Sequence, residues 1–153
     1  MKTVKWPYNL PIWRNFYRAL SPDGQRVAQI DPAYEMGMGN PTSGLLCVTG
    51  GPHMERCNPS FVWSDDSRYL AVPQFHGFFD RQRLLIVVFE QKCVFASKER
   101  ASFFQPESFS GGQLIVTMNP SGSARAMTFH IPSELSARFT RLPRWHVPWP
   151  KFA

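Results

Sequence analysis

Two short stretches of this chain repeat one another, and that repeat limits the fold more than any other feature. Ser21-Pro22-Asp23-Gly24 is followed by Gln25-Arg26-Val27-Ala28, and Trp63-Ser64-Asp65-Asp66-Ser67 by Arg68-Tyr69-Leu70-Ala71-Val72. Each is a tight turn running into an apolar strand. Pro presets φ at the second turn position, Asp can bond its own backbone two residues on, and Gly accepts positive φ. A third, weaker copy spans Phe109 to Val116, with Ser110-Gly111-Gly112 in the turn and neither Pro nor Asp. Aligning Gly24, Ser67 and Gly112 gives spacings of 43 and 45 residues.

Further strands fit between the turns. Gly44 to Thr49 is an apolar run closed by Gly50-Gly51-Pro52, and Ala124 to Ile131 is a run closed by Pro132. Arg83 to Glu90, then Gln91-Lys92, then Cys93 to Ser97 read as a hairpin with a two-residue connection. The segment Leu84 to Phe89 is rich in β-branched residues and has no polar alternation, as expected of a strand covered on both faces. With 14 prolines and 10 glycines as punctuation, the pattern predicts an all-β domain of short antiparallel strands. Helix is expected only at Pro11 to Leu20 and at Ser133 to Phe139, where Ser133 could cap a short turn. Pro32 to Ser43 lacks periodicity and reads as a long loop.

The turn-strand units Ser21-Pro22-Asp23-Gly24 and Trp63-Ser64-Asp65-Asp66-Ser67 resemble those of TolB-like and WD-repeat β-propellers over residues 21–131. The WD dipeptide itself is absent. A period near 43 residues suits one four-stranded blade of that family. The resemblance implies about three degenerate blades. A closed propeller needs about four or more, so the chain would form an incomplete propeller, close by oligomerising, or pack as a twisted sandwich. The whole chain, 1–153, reads as one β domain, with residues 1–20 and 132–153 as basic aromatic segments at its edges.

Charge is concentrated at those ends. Lys2, Lys5, Arg14 and Arg18 face no acid in residues 1–20; Arg125, Arg138, Arg141, Arg144 and Lys151 outnumber Glu134 in residues 124–153. The chain as a whole carries +6, so each end is more basic than the acidic middle. A surface built from both ends would attract an acidic partner. The N-terminal stretch is broken by Pro7, Asn9, Pro11 and Arg14, and is not read as a signal peptide; no run is long enough to span a membrane, and the cytoplasm is the expected compartment. Cys47, Cys57 and Cys93 are odd in number and widely spaced, which suits neither a disulfide framework nor a zinc ribbon; Cys47 and Cys93 read as small core residues.

No catalytic or metal constellation stands out, and no cofactor is expected. His53, His76, His130 and His146 lack metal-ligand spacing, and a helix presenting His53 with Cys57 is opposed by Pro52 and Pro59. Asp65 and Asp66 are read as turn residues rather than a catalytic pair. No nucleophile elbow, phosphate-binding loop or dinucleotide fingerprint is present. Candidate contact residues therefore come from loops and aromatic ends: Tyr34, Met36 and Met38 in the long loop, His76, Phe78 and Phe79 in a second loop, and Arg144, Trp145 and Trp149 in the C-terminal tail.

The function expected from these features is a protein-binding module without catalysis, its partner bearing an acidic surface. The sharpest form is an immunity or antitoxin-type inhibitor that binds a bacterial toxin domain directly. The alternative is a nucleic-acid-binding protein that uses its basic, aromatic ends for stacking and phosphate contact. A membrane partner is not expected.

Overall fold

The computed structural model describes residues 3–6, 17–35, 42–77, 81–119 and 123–146. Within them the chain is all-β, apart from one helical turn, and its strands follow the turn repeat. The first meander comprises β2 (Tyr17–Leu20), β3 (Val27–Glu35), β4 (Thr42–Val48) and β5 (His53–Cys57), each antiparallel to the next. The second comprises β6 (Val62–Trp63), β7 (Tyr69–Phe75), β8 (Gln82–Val88) and β9 (Cys93–Ser97), paired the same way. The third has β10 (Phe104–Ser110), β11 (Gln113–Met118) and β12 (Arg125–His130). Two end strands extend the set: β1 (Thr3–Lys5) lies parallel to β2, and β13 (Phe139–Arg141) antiparallel to β9. The first two meanders join into one large sheet through a single bridge, Cys57 to Gln74, while the third forms a separate sheet.

The two repeated turns have the same hydrogen bonds. In the first, Asp23 Oδ1 accepts from Ser21 Oγ and from the Gln25 N–H, and Ser21 Oγ accepts from the Arg26 N–H. In the second, Asp66 Oδ1 accepts from Ser64 Oγ and from the Arg68 N–H, and Ser64 Oγ accepts from the Tyr69 N–H. Gly24 and Ser67 occupy the same left-handed position, at φ 74° and 62°. Ser67 tolerates it because its hydroxyl is used: it accepts from the Asp23 N–H at 2.9 Å, tying the two turns together. The third turn is of another kind, a hairpin with Gly111 and Gly112 both at positive φ. Asp65 ties it to the second, donating its N–H to the Phe109 carbonyl and accepting from the Gly111 N–H at Oδ2. Asp65 stands where the first turn has Pro22, which has no N–H to give.

Between these tied ends the meanders pack face to face, with the second in the middle. Every residue of β7 and β8 is buried. Period-two alternation sends successive side chains into different cores. Leu70, Val72, Leu85 and Val87 meet Ala28, Ile30, Leu46 and Met54 of the first meander. Tyr69, Ala71, Leu84, Ile86 and Val88 meet Phe104, Phe109, Leu114 and Phe129 of the third. At about 1.5–3 kcal/mol for each fully buried Leu, Ile or Val, this strand pair contributes to both cores at once.

Several local expectations need correction. The β8–β9 connection has four residues, 89–92, not two: the Lys92 N–H donates to the Phe89 carbonyl and Lys92 takes positive φ before the ladder resumes at Cys93. Tyr17 to Leu20 is strand rather than helix, paired with Val27 to Ile30; residues 11–16 lie outside the described set. The loop expected over 32–43 is shorter, since Tyr34 and Glu35 pair with Ser43 and Thr42. Helix does form near Ser133, but only over α1 (Leu135–Arg138), with Glu134 at the cap position. There Glu134 Oε1 accepts from the His130 N–H, and Ser133 donates to the His130 carbonyl instead of capping. Cys93 is buried as expected; Cys47 is only half-buried, on the outer face of the first meander beside Arg18 and Gln29.

Leu84→Ala and Leu85→Ala should each lower the unfolding free energy by about 2–5 kcal/mol, although they face opposite cores. Ile115→Ala, on the outer face of the third meander, should cost about 0.5 kcal/mol. Urea denaturation of the three variants checks this. Asp23→Ala should cost about 1 kcal/mol through its turn bonds. Its carboxyl is held below the ordinary range, first by Ser21 and then by the Gln25 N–H. A depressed carboxyl stabilises the fold above its unfolded pKa, and the gain is lost as pH falls through the folded value. The difference between Asp23→Asn and the unmutated chain should therefore shrink in acid.

Candidate functional site

Beyond β13 the chain leaves the edge of the second meander and crosses to the first. Leu142 donates its N–H to the Val94 carbonyl, and Leu142 and Trp145 both pack against the core shared by the first two meanders. Trp145 meets Phe89 edge-on, with ring centroids 6.2 Å apart. Phe89 also carries Arg26 over its face, 4.5 Å from the centroid. His146 of this segment lies against β5, where its Nδ1 accepts from the His53 N–H at 3.0 Å. That bond places the His146 proton on Nε2 in the neutral ring. The two imidazoles lie 5.2 Å apart.

This crossing forms a cleft of about 600 Å³ lined by Leu45, His53, Glu55, Arg144, Trp145 and His146. Leu45 is the most exposed large hydrophobic residue described, at 45%. It faces outward because β4 alternates around buried Leu46, so one of two adjacent leucines must point away from the core. The cleft is thus lined by a leucine and a tryptophan together with Arg144, two histidines and Glu55. Apolar area with a few convergent polar groups suits recognition of a side chain or small ligand. Among the described residues no group of three His, Cys, Asp or Glu could hold a metal ion. No described helix is long and apolar enough to cross a membrane.

Of the residues singled out from the sequence, Arg144 and Trp145 meet in this cleft. His76 does not join them: it follows β7 at the far end of the second meander, its Nδ1 buried without a hydrogen-bond partner among the described residues. Tyr34 lies in β3 opposite Ser43. Met36, Met38, Phe78, Phe79 and Trp149 lie outside the described residues. Leu45, His53, Glu55 and His146 were not singled out, since nothing in a single sequence joins 45–55 to 144–146. Leu45 and Leu46 also look alike until one is seen to face away from the core.

Comparison with protein-family models, with curated proteins and with solved structures finds no match to this chain.

The His76 ring is held neutral: burial first, then repulsion from Arg83 and Arg100, pushes its pKa down to about 4. A histidine depressed in the folded state is protonated more readily after unfolding, so it costs stability as pH falls from about 6.5 toward about 4. His76→Asn should lose that part of the acid dependence. Comparing urea midpoints of both proteins at pH 7 and pH 4.5 tests this; equal losses would exclude it.

Proposed function

We propose that this protein is a non-catalytic protein-binding module that presents the Leu45–Trp145 cleft to a partner with an acidic surface. The observation that supports it is the convergence of an exposed leucine and a half-buried tryptophan with Arg144. Trp and Arg dominate binding energy where they can be desolvated together, and the apolar part of the lining gives a partner's side chain a place to insert. Arg144 and the net charge of +6 favour an acidic surface beside that side chain. Three free thiols fit a reducing compartment such as the cytoplasm. The scaffold, in this reading, is an open array of blade-like meanders repeating every 43 residues or so. An immunity-type inhibitor, plugging the active site of a toxin, is the sharper form; it requires a toxin whose site is ringed by acidic residues.

The test is capture of partners by tagged protein at low and high salt, alongside a Leu45→Asp variant. Leu45 is exposed, so this change should leave folding intact while placing a carboxylate in the cleft. One stoichiometric protein that survives high salt and is lost with Leu45→Asp is the expected result. Binding of mixed nucleic acid that high salt removes would replace this reading with the nucleic-acid one. Binding unaffected by Leu45→Asp would exclude the cleft.

A further inference from the structure

Arg83 is the one strongly buried arginine in the described structure, at 8% exposed. The other paired arginines are conventional: Arg68 meets Glu90 at 2.7 Å, and Arg138 meets Glu99 and Glu134. Arg83 has no such partner among the described residues. Its Nε–H donates to Oε1 of Gln74 at 3.0 Å, and that amide is spent in turn on the Glu55 carbonyl at 2.8 Å. No described group accepts from Nη1 or Nη2. Neither atom is among the buried atoms left without a partner, so the Nη edge reaches solvent while no described carboxylate balances the charge.

The surroundings add positive charge rather than remove it. Gln74 pairs with Arg83 across β7 and β8, and one step on, the His76 N–H donates to the Arg81 carbonyl. Alternation therefore puts Gln74, His76, Arg81 and Arg83 on one face of the sheet. Arg100 joins them from the segment after β9: its Nη1 reaches the His76 carbonyl, and its own carbonyl accepts from Arg81 Nη2 at 3.3 Å. His76 Nδ1 is buried there without a partner among the described residues. Three guanidinium groups and one unsatisfied imidazole nitrogen share a corner, and none has a described carboxylate.

We infer that this corner is a binding site for a phosphoryl group, with Arg83 as its end-on anchor and Arg81 and Arg100 closing over the remaining oxygens. With Nε committed to Gln74, the Nη1–Nη2 edge is the free edge of the fork, and it matches two oxygens of one anion. Three positive side chains are better balanced by a dianion than by a single carboxylate. The site lies on the second meander and does not depend on the partner-binding reading of the cleft.

The probe is inorganic phosphate, titrated into the whole chain and followed by calorimetry and thermal unfolding, with sodium chloride matched for ionic strength. Saturable binding and a rise in melting temperature beyond the chloride control are expected. Arg83→Gln should weaken binding about tenfold or more, as loss of a charge-assisted pair does. Exposed Arg100→Gln serves if Arg83→Gln does not fold, and should weaken binding several-fold with the melting temperature in chloride unchanged. Asp80, the nearest acid in sequence, lies outside the described residues. Asp80→Asn should bind phosphate as well or better. A phosphate effect no larger than that of chloride, or one that persists in both arginine variants, would overturn the site. So would destabilisation by Asp80→Asn without phosphate binding, which would make Asp80 the missing counter-charge. Acetate binding as tight as phosphate would overturn the assignment of a dianion.

Discussion

Burial of the second meander on both faces is the constraint on which the other elements depend. A β-strand has two faces, and in most antiparallel sheets water covers one of them. Here β7 and β8 have no water-facing side, so a sheet must stand on each side of them. Leu70, Val72, Leu85 and Val87 supply one core, and Tyr69, Ala71, Leu84, Ile86 and Val88 the other. A slip of one residue in their register would exchange the two sets and spoil both cores together. The outer meanders then need only one apolar face each, which is what they have: Leu46 inward with Leu45 outward in β4, and Leu114 and Val116 inward with Ile115 outward in β11.

Turn chemistry holds the layers in register at one end. The Ser–Asp turn ties its side chains to its own backbone, and two side chains reach beyond it. Ser67 binds the first turn and Asp65 the third. The same positions therefore close a hairpin and join neighbouring meanders. The opposite arrangement holds at the edges. There the segment after α1 does the joining: β13 pairs with β9, and Leu142 and Trp145 pack over the core of the first two meanders, with His146 against β5. The cleft exists because that crossing leaves Leu45 uncovered beside Trp145.

Much of the architecture was legible in the residues because local chemistry carries it. The paired turns, the two-sided burial of Leu84 to Val88 and the strand after each turn follow from Pro, Asp and Gly preferences and from period-two patterning. Departures came where backbone hydrogen bonding overrode the local pattern. Phe89 continues an apolar run, yet its carbonyl closes a turn with the Lys92 N–H, and Lys92 at positive φ lengthens the connection. Tyr17 to Leu20 lies beside aromatic residues with no clear alternation, and pairing with β3 made it a strand. The candidate site was only half legible. Arg144 and Trp145 stood out as a cation beside a large aromatic, but their companions His53 and Glu55 are some ninety residues away in sequence.

The sequence by itself determined the all-β plan of short antiparallel strands, because turn preference and alternation are properties of neighbouring residues. It also determined that each end is basic and aromatic. Only the tertiary structure decided which of two adjacent leucines faces out, which strands β1 and β13 pair with, and that Arg83 is buried without a described acid. Those outcomes depend on which surfaces meet across the stack. Such meetings join residues far apart in the chain, so no local pattern encodes them.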